Sequence, residues 1–128
     1  MDDIDGEPVL EFPSQTDLEA WFDAADDAQD GSRAVWLLLA KKGSGHSSIT
    51  SDEAVDIGLC YGWISAVRRS RDEGSYLQRY TRRRPASKWS RVNIAKVVEL
   101  IAAGRMRPGG QREVDAARAD GRWDNPWT

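Results

Sequence analysis

One cysteine, one histidine and two methionines are all the sulfur and imidazole that 128 residues contain. A single cysteine, Cys60, makes no intramolecular disulfide, so a reducing cytoplasm is the expected home. The lone His46 has no C-x-x-C or H-E-x-x-H spacing around it. A metal site draws several such ligands to one point, so neither a metal nor a cofactor is expected. No apolar run nears the roughly 20 residues of a membrane-spanning helix; the longest is AVWLLLA at 34–40. The opening residues are acidic, unlike the positive, then apolar start of a secretory signal. The first thirty residues contain no lysine or arginine at all.

That last absence mirrors an excess. Residues 1–30 hold eleven carboxylates, and all 18 bases follow them. Between 68 and 107, twelve bases face only Asp72, Glu73 and Glu99, a local +9 in a chain whose total is −3. A block this positive attracts phosphates or other anions, and nucleic acid or another polyanion is the expected partner. An acidic beginning folded over it would neutralise it instead.

Six tryptophans and 40% hydrophobic residues argue for one folded domain. Residues 1–12 (MDDIDGEPVLEF) read as an acidic leader, broken by Gly6 and Pro8 and docking at Val9, Leu10 and Phe12; 13–128 read as the domain. Ser14 and Asp17 form a capping pair. Leu18, Trp21, Phe22 and Ala25 then recur at helical spacing, predicting a helix over about 15–28. AVWLLLA reads as a buried strand. Thr50 and Glu53 form a capping box for a second helix, which Gly62 closes. WISAVRR (63–69) and SYLQRYT (75–81) flank a turn ending in Gly74, an antiparallel hairpin. Ser87 or Ser90 caps a third helix, and Pro108 opens a fourth. The expected fold is α+β, a small antiparallel sheet of about three strands packed against about four helices.

Little in this pattern suggests catalysis. Cys60 with His46 is the one nucleophile–base pair to weigh, but Ile57, Leu59 and Tyr61 around the cysteine favour a buried packing role. Lys41 and Lys42 lead into a Gly/Ser loop that resembles a phosphate cradle without its glycine–lysine order. The stronger feature is the basic block. Arg79, Arg82, Arg83, Arg84 and Lys88 are interleaved with Tyr80 and Trp89, and arginine forks with stacked rings suit phosphates and bases. Trp63, Trp89 and Asn93 offer a second reading, rings with a polar handle around a small ligand. Trp123, Pro126 and Trp127 make an apolar C-terminus that suggests self-association.

A longer pattern runs from Trp36 to Trp123. It comprises Trp36 with Lys41-Lys42, then Ala54-Val55, then Leu59-Cys60-Tyr61-Gly62-Trp63-Ile64. It continues through Arg79-Tyr80-Thr81, Arg83-Arg84, Ser87, Trp89-Ser90 and Asn93, and closes on Gly104-Arg105-Met106, Gly110 and Gly121-Arg122-Trp123. This pattern resembles the amino-terminal part of the YdeI/OmpD-associated proteins, also labelled bacteriocin-protection proteins. Ser65 stands where members of that family tend to carry Asp, and Arg82 where they tend to carry Pro. The resemblance implies a bacterial stress- or envelope-protection role with no catalytic reaction attached.

Overall fold

A computed structural model describes residues 3–28, 34–41, 43, 49–83 and 87–126. In chain order the elements are β1 (Asp3–Ile4), β2 (Glu7–Leu10), α1 (Gln15–Ala28), β3 (Ala34–Ala40) and α2 (Ser51–Tyr61). β4 (Trp63–Ser70), β5 (Ser75–Arg82), α3 (Arg91–Ala102) and α4 (Pro108–Ala119) follow. The fold is α+β, as its sequence predicts, but the sheet has five strands in the order β1-β2-β3-β5-β4. It is also mixed, because β2 runs parallel to β3, with Val9 opposite Trp36 and Leu10 opposite Leu37. The acidic leader is therefore part of the sheet. Asp5 and Gly6 both take positive φ, 53° and 83°, as a two-residue hairpin turn between β1 and β2 requires.

β3, β4 and β5 form where the alternating and aromatic runs place them, and their pairing sets two faces. Val35 lies opposite Tyr80 and Leu37 opposite Gln78. Val35, Leu37, Leu39 and Tyr80 are buried with Leu18 and Phe22 of α1, Ile57 and Leu59 of α2, Val97 of α3 and Val114 of α4. One face of the sheet thus builds the core. On the other face Trp36 lies opposite Arg79, and Glu7 joins the two. Its carboxylate accepts from Trp36 Nε1 at 3.0 Å and from Arg79 Nε and Nη2 at 2.9 and 2.7 Å. Arg79 holds that carboxyl below the usual range, with burial acting against it. The pair's stabilisation is therefore present above the ordinary carboxylate value and is lost as pH falls through the lowered one.

The helices start where their caps are. Thr50 and Glu53 make both arms of the capping box, and Gly62 takes φ 84° at the end of α2. Of the two serines that could open α3, Ser90 does so, its hydroxyl accepting from Asn93 N at 3.1 Å. α4 begins at Pro108 and drives its first turn against the carbonyl end of α2. Arg107 N donates to Cys60 O at 3.0 Å, and Gly109 and Gly110 are buried there.

Candidate functional site

The basic block does not act as one patch. Arg79 is bound to Glu7. Arg82 donates from Nη2 to Ala25 O, a carbonyl in the last turn of α1, at 2.8 Å and lies 5.0 Å from the Trp63 ring. Arg68 sits over Tyr76 and donates to Gln78; Arg69 sits over Trp36; Arg71 pairs with Asp72 inside the turn. Most hairpin arginines thus serve the fold, and among the described residues Glu7 of the acidic beginning pairs with Arg79. Arg84 and Lys42 lie outside the described residues. Lys41 lines a groove of about 750 Å³ beside the start of α2. The capping box already uses amides of that turn, and Asp52 opposes an anion there.

The aromatic cluster divides in the same way. Trp63 is 1% exposed and packs edge-on to Trp21 and against Phe22. Trp89 is 2% exposed and meets Trp123 with centroids 5.1 Å apart. Among the described residues no ring contact joins Trp63 to Trp89, and Trp89 and Asn93 line two different grooves. Trp123 is also held by Arg118 over its ring, which turns this part of the apolar C-terminus inward. Trp127 lies outside the described residues.

What the fold does bring together is Arg83, Lys88 and Asn93. They line a groove of about 450 Å³ with Ile64 and Ser65 of β4 and Ser90 at the head of α3. Arg83 leaves the end of β5 with its backbone N–H bound to Gly62 O at 2.9 Å. Its guanidinium lies 3.5 Å from the centroid of the Trp89 ring, and Nη1 donates to Lys88 O at 3.1 Å. Nε has no hydrogen-bond partner, although the residue is only 8% exposed. Among the described residues no carboxylate lies within ion-pair distance of it. Burial pushes its pKa down to about 10, the Glu113 carboxylate acts against that, and Arg122 adds to it. It is still a full cation at neutral pH.

The rest of the groove carries the same sign. Lys88 is exposed, and neither its amine nor the Asn93 amide has a hydrogen-bond partner among the described residues. Ser90 satisfies Asn93 N and Ile94 N, while the N–H groups of Arg91 and Val92 have no acceptor within their own helix. The positive end of the α3 dipole therefore faces the side of the groove that holds the two cations. Arg83, Lys88 and Asn93 were visible in the sequence as candidates; Ser65 was visible only as a departure from a family pattern, and Ser90 as a cap and a member of that pattern.

Residues 10–113 match a family described as a domain of unknown function (DUF8412). The chain belongs to that family. All six residues lining the Arg83 groove fall within the span that matches DUF8412, whereas β1 and Trp123 fall outside it. No curated protein and no solved structure matches the chain. Among the described residues no helix is long and apolar enough to cross a membrane, and no group of three or more His, Cys, Asp or Glu is placed to hold a metal ion.

Cys60 is 3% exposed. Burial pushes its thiol up to about 11, Arg105 opposing and Asp56 and Glu19 adding. The thiolate, which is the nucleophile, is scarce at neutral pH. His46 lies outside the described residues, and so does any pair it would form. Native protein at about pH 8 should resist alkylation by iodoacetamide and react only after unfolding; equal rates in both states would contradict the buried assignment.

Proposed function

We propose that this DUF8412 protein is a non-catalytic binding protein whose partner presents an oxyanion to the groove between β4 and α3. One observation carries the reading: Arg83 is a charged group held almost entirely out of water, with a free Nε and, among the described residues, no carboxylate within ion-pair distance. Such a cation costs several kcal/mol of desolvation unless something compensates it. A bound phosphate or carboxylate would. The expected contact through the whole basic hairpin thereby narrows to the junction where the hairpin enters the next helix. The resemblance to the YdeI/OmpD-associated proteins gives this binding role a bacterial stress- or envelope-protection setting inside the cell. An enzymatic reading around Trp63, Trp89 and Asn93 has less behind it, since both indoles are buried in the core and no ring contact joins them among the described residues.

Calorimetric titration with inorganic phosphate at low salt tests the proposal, with generic DNA and RNA as parallel ligands. Phosphate should bind, and the affinity should fall as salt is added. Lys88→Ala and Asn93→Ala should each weaken binding by about tenfold, the worth of one charge-assisted hydrogen bond, without moving the melting temperature. No binding at low salt, or binding indifferent to both changes, would overturn it.

A further inference from the structure

Two neighbouring grooves that share Lys88 differ in how their charge is placed. Lys88 lines the Arg83 groove and also a second groove of about 430 Å³, which Trp89, Asp120, Gly121, Arg122 and Asn125 complete. Trp89 stands between the two, carrying Arg83 on one ring face and lining the second groove itself. The second groove differs in character. Arg122 Nε is bound to both oxygens of Asp120 at 2.9 and 2.8 Å, and Arg122 Nη1 donates to Ser87 O at 2.6 Å. Two of that guanidinium's three nitrogens are thereby engaged within the protein. Asp120 still exposes about half of its side chain, so acceptor oxygen faces solvent there. Asn125 is exposed as well and uses its Nδ2 on Gly121 O at 2.9 Å, which leaves its carbonyl oxygen to accept.

An anion entering the second groove would meet the Asp120 carboxylate, while a hydroxyl donor would meet acceptors. A chain of phosphodiesters, with charge at every step, fits this division poorly. A molecule charged at one end and hydroxylated along its body fits it well. We infer that the ligand is a phosphomonoester of a hydroxylated body, its phosphate between Arg83, Lys88 and the head of α3, and its hydroxyls on Asp120 and Asn125 beyond Lys88. This rests on the oxyanion reading of the first groove and adds the chemical class of what binds. Such a body is a free sugar phosphate or the sugar phosphate of a nucleotide.

The test is a set of titrations of the intact protein with inorganic phosphate, ribose 5-phosphate, adenosine 5′-monophosphate and unphosphorylated ribose. Ribose 5-phosphate should bind about tenfold more tightly than inorganic phosphate, a gain that two added hydrogen bonds can supply. Ribose alone should not bind measurably. Asn125→Ala should cut the tenfold gain to about threefold, the share of the one hydrogen bond left on Asp120, and leave the affinity for inorganic phosphate unchanged, while Lys88→Ala should weaken both phosphates together. If the nucleotide binds more tightly than ribose 5-phosphate, the body is a nucleoside; if more weakly, it is a free sugar. Equal affinity for inorganic phosphate and both esters would overturn the inference and leave the oxyanion site standing. Failure of every phosphate to bind would overturn both.

Discussion

Gly110→Ala should destabilise the protein by about 3 kcal/mol or more, lowering its melting temperature by roughly 10 °C. A Cβ at this position would sit 2.6 Å from the carbonyl carbon of Cys60 and 2.7 Å from Leu59 O, and in direct overlap with Cys60 O. These are backbone atoms at the end of α2, so no rotamer change relieves the contact. The same Cys60 oxygen accepts the Arg107 N–H that ties the start of α4 down. Moving α4 outward to make room therefore costs a hydrogen bond as well as packing around Val114 and Ala117, both fully buried. Gly58→Ala makes a graded comparison. Its Cβ would come within 3.3 Å of two atoms of the Tyr80 ring, a side chain that can shift by tenths of an ångström, so a smaller loss is expected. Equal losses for the two variants, read from thermal melts, would contradict the assignment of the helix contact at Gly110.

The second large effect separates binding from folding at one residue. Arg83→Met should abolish phosphate binding while leaving thermal stability within about 1 kcal/mol of the parent, or above it. A buried cation with no carboxylate at ion-pair distance among the described residues burdens the fold, and burial lowers its pKa accordingly. Methionine keeps a flexible, polarisable chain against the Trp89 ring, and the half-covered segment around Lys88 O can take water in place of the lost donor. A residue present for the fold would behave in the opposite way, losing stability and binding together. Calorimetric titration beside a denaturant or thermal melt distinguishes the two.

How far the sequence carried the account depended on the range of the interactions involved. Elements set by neighbouring residues were legible: α1 covers the expected 15–28, the box at Thr50 and Glu53 opens α2, and the hairpin lies within a residue of its expected ends. β1 and β2 were not legible, because strands of two and four residues around Pro8 show no alternation, and the second is held by pairing with a strand some 27 positions away. Pairing across that distance also made the sheet mixed rather than antiparallel. The site follows the same rule. That residues 68–107 are cationic could be read from composition. Which cations remain for a ligand could not, since Glu7 takes up Arg79 from 72 positions away and the end of α1 takes up Arg82 from 57. Asn93 entered as the polar member of a tryptophan pocket and belongs instead beside Arg83 and Lys88.

The most direct measurement is the ¹⁵N–¹H spectrum of the arginine side chains during a phosphate titration, with Arg83→Met identifying the Arg83 Nε–H peak. The account predicts that this peak moves progressively and saturates with the calorimetric affinity, since a free Nε gains an acceptor. A peak that stays in place while phosphate binds elsewhere, or while none binds, would contradict the account at its centre.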